Sequence, residues 1–408
     1  MNHQKTIYIY FNEEFMGSLI AFHSRGSEVF TFEYDTEYLR QHPDQSLDPD
    51  LQLYKGTQFT NKKNFGLFMD SAPDRWGRKL MQRREAILAR QEKRKINPLF
   101  ESDYLLGVYD ETRMGALRFK SEQNGNFMND DTAMAAPPWT RLRELEEACR
   151  HLDQSDTENE NKWLAMLIAP GSSLGGARPK ASVCDNEGHL WIAKFPAHND
   201  TSNTAAWEFA AMLMMKDCGI RTSEFKLEKF SKYGSTFLSK RFDRKGSERI
   251  HFASAMTLLG RNDGANAADS GESYLNLVEF IIQCGSKPQQ DLQELWKRIA
   301  FSVAVSNTDD HLRNHGFLLE NGGWRLSPAY DVNPFAAGTG LSLNINEYDN
   351  SLDFDLVLEV APYFRLKQKN AEVELAHIRT VVSQWHEYAS RAGIGRGEQE
   401  LMQNAFRY

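Results

Sequence analysis

The sequence predicts an α+β chain: an N-terminal β-rich subdomain, then a bilobal core whose C-terminal lobe is mainly helical. Three observations carry this. Strand patterns open the chain, strands return in its middle third, and helical periodicity dominates its last 160 residues or so. With 408 residues, 41% hydrophobic and 25% charged, the chain can bury a sizeable core and should fold as two or three domains. A formal charge of −8 argues against a whole-surface nucleic-acid binder.

The opening strands are "TIYIYF" (6–11), "FMGSLIAF" (15–22) and "VFTFEY" (29–34), the last with Phe30, Phe32 and Tyr34 alternating with Thr31 and Glu33. A helix should run through "DSAPDRWGRKLMQRREAILARQEKR", capped by Asp70 or Ser71 with Pro73 in its first turn. Residues 126–160 turn polar around one amphipathic helix near 141–152. They read as a linker, so the expected division is 1–125, 126–160, 161–245 and 246–408.

The middle section reads as strand "LAMLIAP" (164–170), the loop "GSSLGGARPK", strand "ASVC", turn "DNEG" and strand "HLWIAKF". A helix over "NTAAWEFAAMLMMKDC" should stop at Gly219, a C′ position, and "TFLSKRF" (236–242) is one more strand. Farther on, Leu292, Leu295, Trp296, Ile299 and Val303 form one helical stripe, and a long helix is expected over 370–392. No apolar run reaches 18 residues, so no membrane span is expected. The N-terminus has no signal-peptide core. Cys149, Cys184, Cys218 and Cys284 lack any CxxC spacing, which reads as reduced cysteines in a cytoplasmic protein.

Gly171 and Gly176 have Walker spacing, but Ala177 stands where the lysine belongs and a strand follows where a helix should begin. A Rossmann turn fails on the same ground. Strand–glycine loop–strand is how protein kinases lay backbone over nucleotide phosphates, with Arg178 and Lys180 adding charge here. Lys194 then takes the place of the phosphate-binding lysine, and Glu208 that of its orienting carboxylate; alone, each reads equally well as a surface residue.

"SNTDDHLRNHGFLL" (306–319) admits two chemistries. His311 and His315 are spaced i, i+4 like metal ligands, but no HExxH glutamate follows and Gly316 argues for a loop. Asp309 and Asn314 have the D-x4-N spacing of a phosphoryl-transfer loop, in which the aspartate accepts the hydroxyl proton and the asparagine holds Mg²⁺. A hairpin turning at "NGG" then delivers Asp331 to the position of a second Mg²⁺-binding carboxylate. The order glycine loop, Lys194, Glu208, Asp309, Asn314, Asp331 favours the second chemistry. It makes the bilobal core protein-kinase-like, with ATP and Mg²⁺ as the implied cofactors. A small-molecule phosphotransferase and a catalytically silent binding module are the other readings.

"SSLGGARPK", "IAKFP", "LSKRFDR", "NTDDHLRNHGF" and "LSPAYDVNP", with "FMDSAPDRWGR" and "GALRF" upstream, resemble the HipA family of toxin kinases over nearly the full chain. The resemblance implies a Ser/Thr protein kinase that arrests growth and takes a protein substrate, an aminoacyl-tRNA synthetase in the best-known members. It also implies restraint by a HipB-like helix-turn-helix antitoxin, contact with DNA only through that partner, and no membrane association. It makes Asp309 the base, Asn314 and Asp331 the Mg²⁺ ligands, and Lys194 the phosphate-binding lysine. Gly175, Gly176, Ala177, Arg178, Pro179 and Lys180 become the covering loop. Lys240, Arg241 and Phe242 become the hinge, supported by Asp243 and Arg244, while His311 and Tyr330 join the nucleotide contacts. Autophosphorylation is implied at Ser173, with Ser172 as the alternative, which would displace the loop and close the ATP site. Two residues depart from the family pattern. Asp310 replaces a glycine, and either raises the pKa of one of the paired carboxyls or faces solvent. Pro179 stiffens a loop expected to move.

Overall fold

In the computed structural model the chain forms two compact units, residues 1–199 with 243–253 and residues 200–242 with 254–408. The structure describes residues 4–24, 26–131, 135–153, 160–169 and 176–408. Gly175, Ser173 and Ser172 lie outside the described residues.

The first unit is built on an antiparallel sheet of order β4-β3-β2-β1-β5. Its strands are β1 (Lys5–Phe11), β2 (Glu14–Ser24), β3 (Ser27–Tyr34), β4 (Gln58–Phe59) and β5 (Leu117–Lys120). The three opening strands form where alternation places them, and β1 and β2 shift register between Ile9 and Tyr10. Ile7, Ile9, Leu19, Phe30 and Phe32 are buried, and Phe32 meets the rings of Phe65 and Phe68 at 6.5 and 5.5 Å. Each such side chain contributes about 1.5–3 kcal/mol on leaving water.

The basic helix starts later than expected, at Arg75, and runs to Gln91. Its cap is Asp74, whose Oδ1 accepts from the Trp76 amide at 3.2 Å, not Asp70 or Ser71. Pro73 therefore lies just before the cap rather than inside the first turn. Residues 164–169 are not a strand. Glu160–Leu167 is a helix, because Leu164, Leu167 and Ile168 are buried at helical spacing while Ala165 faces out. Among the described residues of the polar stretch 126–160, the helix Leu142–Asp153 belongs to the first unit and packs on Glu160–Leu167, so that helix is not part of a linker between units.

β6 (Lys180–Cys184) and β7 (Leu190–Lys194) form the expected hairpin. Asp185 ties its turn by accepting from Glu187 N at 2.9 Å, His189 N at 2.8 Å and Trp191 Nε1 at 2.9 Å. These bonds outweigh partial burial and hold the Asp185 carboxyl at about 2.

The second unit holds the helix Thr204–Asp217 and the hairpin of β8 (Phe225–Glu228) and β9 (Thr236–Lys240). Gly219, at φ 68°, ends that helix in the left-handed cap its position predicted. The helix Pro288–Val305 is the core of this unit, with Leu292, Leu295, Trp296, Ile299 and Val303 fully buried. Its buried charges do positional work. Asp291 accepts from Arg221 Nη2 at 2.8 Å and from the Leu326 amide at 3.0 Å, fixing the exit of the hairpin Gly316–Glu320/Gly323–Leu326. The expected helix over 370–392 is two helices, Gln368–Ser383 and Trp385–Arg391. The break lets Trp385 bury against Trp207 and stack on Phe406 at 4.3 Å.

Candidate active site

The second unit carries the D-x4-N loop. The helix Pro288–Val305 stops at Ser306, which adopts φ 50° and ψ 46°, and Asn307 N returns to Ser302 O at 2.9 Å. A left-handed serine costs on the order of 1 kcal/mol or more, so surrounding contacts must hold it. The turn throws the next residues out of the core, and the Asp309 side chain is 87% exposed. Asn314 ends a short 3₁₀ turn and donates from Nδ2 to Asp309 O at 2.8 Å. This bond closes the loop whose ends the D-x4-N spacing picked out. His311 Nε2 lies 4.0 Å from Asp309 Oδ1.

Asp310 does not face solvent. It is 5% exposed, and its Oδ2 accepts from Tyr274 OH at 2.6 Å and from Ser302 Oγ at 3.2 Å. Its Oδ1 lies 2.9 Å from His315 Nε2. Burial pushes the Asp310 carboxyl up, but His315, Tyr274 and Ser302 pull harder and leave it below the usual aspartate range. The expectation that Asp310 faces solvent does not hold, and its own carboxyl is lowered rather than raised. Asp310 thus points into the core while Asp309, in the turn before it, stays exposed.

The hairpin delivers Asp331 to the same loop. Tyr330 OH donates to Arg313 O at 2.7 Å, and the Asn333 amide donates to Asn307 Oδ1 at 3.1 Å. Between these ties Asp331 takes φ 58°, a conformation that aspartate tolerates better than most residues. Its Oδ1 accepts from Asn333 Nδ2 at 3.5 Å. Lys240 N donates to Glu224 O at 2.8 Å, Arg241 is buried, and the Phe242 ring lies 5.7 Å from Tyr330. Glu208 is 3% exposed, which removes its reading as a surface carboxylate.

The first unit carries Gly176, Ala177, Arg178, Pro179, Lys180 and Lys194. A helix, not a strand, precedes this glycine-rich segment. Lys180 and Lys194 are directly opposed across the β6–β7 pair, so two ammonium side chains share one face of the hairpin. Like charges directly opposite on one face cost a hairpin stability unless other groups offset them. Gly176 adopts φ 87°, a conformation that favours glycine, and a Cβ there would lie 2.8 Å from the flexible end of Lys180, Nζ. Pro179 is buried at the strand entry, where its carbonyl accepts from Phe195 N at 2.9 Å. Asp243, expected beside the hinge, belongs to this unit. Its Oδ2 accepts from Gly115 N at 2.8 Å and Arg244 Nη1 at 2.6 Å, and Arg244 also donates to Arg113 O.

His311 and His315 do not converge, being 40% and 2% exposed in side chain. Among the described residues no three His, Cys, Asp or Glu side chains gather to hold a metal. The amide oxygen of Asn314 and the carboxylate of Asp331 are hard donors suited to Mg²⁺, which keeps part of its shell from water and substrate phosphates. The sequence reading missed Tyr274, Ser302, Asn307 and Asn333. Only the asparagines lay close enough to the motif to have been found.

Two family models match: the HipA N-terminal domain over residues 7–120 and the HipA-like C-terminal domain over residues 172–385. A candidate kinase of Haemophilus influenzae is 28% identical over 186 residues, covering 40% of this chain and 54% of its own length. The Escherichia coli toxin YjjJ is 26% identical over 230 residues, covering 50% and 48%. The chain thus spans about half the length of these relatives. Among solved structures, the complex of Shewanella oneidensis HipA with HipB and operator DNA matches with a TM-score of 0.63 at 15% identity, over 98% of this chain and 94% of that one. At that identity the match shows the fold. Among the described residues no helix is long and apolar enough to cross a membrane.

Proposed function

The chain belongs to the HipA family, and on that premise we propose that it is an ATP-dependent kinase that transfers the γ-phosphoryl group to a serine or threonine hydroxyl of a protein. The observation that supports this most is the closure of one loop by Asn314 on Asp309 O, with Asp331 tied to it through Tyr330 and Asn333. Asp309, exposed at the loop's crest, accepts the proton of the attacking hydroxyl. Asn314 and Asp331 hold Mg²⁺, which when bound neutralises charge on the β- and γ-phosphates. Lys194, Lys180, Arg178 and the amides from Gly176 onward meet the phosphates, and Lys240 to Phe242 meet the base.

In this reading Ser173, or Ser172, is the site of self-phosphorylation. The partner is a HipB-like antitoxin, as in the Shewanella complex, with DNA reached through it. The test is transfer of label from γ-labelled ATP by wild type, Asp309→Asn and Ser173→Ala proteins, with mapping of any phosphoserine. Label on protein hydroxyls that falls at least 100-fold in Asp309→Asn supports the reading. No label on the protein or on lysate proteins overturns it, and label on small molecules alone would make the chain a small-molecule phosphotransferase.

A further inference from the structure

One residue of the N-terminal β-rich subdomain meets the glycine-rich segment at both ends of Gly176–Lys180. Trp76, in the first turn of the helix Arg75–Gln91, is 1% exposed. Its backbone N–H donates to Gly176 O at 3.3 Å, and its indole Nε1–H donates to Lys180 O at 2.9 Å. One residue thus spans Gly176 to Lys180. Asp74, which caps the same helix, reaches the spot from the other side, since a Cβ on Gly176 would lie 2.8 Å from Lys180 Nζ and 4.0 Å from Asp74 Oδ2. Lys180 in turn is the residue paired with Lys194.

We propose that Trp76 is a positioning residue for nucleotide: it clamps the Gly176–Lys180 segment so that this segment's amides and the Lys180 and Lys194 ammonium groups are set before ATP arrives. This rests on the reading that the segment meets the ATP phosphates. The chemistry favours a tryptophan here. A buried indole N–H must find an acceptor, and the Lys180 carbonyl supplies one at the first residue of β6, so the ring's burial and the segment's position are enforced together. A phenylalanine would fill most of the same volume and leave that carbonyl unbonded.

The test compares the wild-type full chain with Trp76→Phe and with Trp191→Phe. The second substitution removes another buried indole of the same hairpin, one that donates to Asp185 at 2.9 Å and lies outside the clamp. One lost buried hydrogen bond corresponds to roughly a 5- to 10-fold change. Trp76→Phe is expected to raise the KM for MgATP about that much with kcat held within about 2-fold, and to speed amide hydrogen exchange over residues 177–184. Trp191→Phe is expected to lower the unfolding temperature without moving the KM. A KM in Trp76→Phe equal to that of wild type or of Trp191→Phe overturns the clamp. If wild type neither binds nor consumes ATP, the proposed kinase function falls. Exchange then decides the clamp: unchanged exchange over 177–184 in Trp76→Phe overturns it as well.

Discussion

The D-x4-N loop of the second unit and the glycine-rich segment of the first differ in the contacts that hold them. Around residues 306–315 the holding groups are side chains buried beneath the loop, namely Tyr274, Ser302, Asp310 and His315, with Asn307 and Asn314 closing the backbone. Around Gly176–Lys180, main-chain carbonyls accept from Trp76 and from Phe195 N. The proposed function asks Asp309 to stand still against its substrate, and the buried contacts of Asp310 with Tyr274, Ser302 and His315 hold the residue next to it. Main-chain bonds of this kind fix the path of a segment whatever its side chains do, which suits one that the proposed function lays over phosphates.

The contrast can be broken most severely at the two adjacent aspartates. On the proposed function Asp309→Asn removes an exposed proton acceptor, so kcat for phosphoryl transfer should fall about 10²- to 10⁴-fold with the unfolding midpoint in urea unchanged. Asp310→Ala should do the reverse first. It strands Tyr274 and His315 in the core and should cost about 3–5 kcal/mol in denaturant unfolding. If the two substitutions have equal effects on stability, the inward and outward assignment is wrong.

Acid sharpens the comparison at smaller scale. Burial holds His251 of the first unit at about 3, against about 6.5 in the unfolded chain. Between those values the unfolded chain takes up a proton that the folded one refuses, so stability falls as pH falls. The loss should reach about 2 kcal/mol from pH 6.5 to 5. The Asp310 carboxyl is held low, so its contribution is lost only as pH falls through its folded value, below the ordinary aspartate range. Urea titrations from pH 7 to 4 should therefore show loss first in the first unit, and His251→Leu should flatten it. The smallest effect belongs to the helix cap. Asp74→Ala should cost about 1 kcal/mol, read as a lower unfolding midpoint, with more if Asp74 also steadies Lys180.

The motifs were legible because spacing along the chain records chemistry that depends on local backbone. D-x4-N closes a loop within six residues, "NGG" turns a hairpin, and Gly219 ends a helix, each needing only near neighbours. The failures have one common cause. "LAMLI" is apolar enough for a buried strand or a buried helix, and packing against Leu142–Asp153 decided for the helix. "DSAPD" offers several caps, and the acceptor used is the one from which the helix can present Trp76 to Gly176. Whether the second unit's long C-terminal helix breaks at Gln384 depends on where Trp207 and Phe406 stand.

What the sequence determined by itself is the order of chemical groups: the glycine-rich segment with Lys180, then Lys194, Asp309, Asn314 and Asp331. What only the tertiary structure decided is which neighbouring groups are supports. Asp310 lies beside Asp309 in the chain, yet its partners are 36, 8 and 5 residues away, and Trp76 meets Lys180 across 104. Desolvation sets the role of such groups, and desolvation is a property of the packed interior that no local spacing encodes.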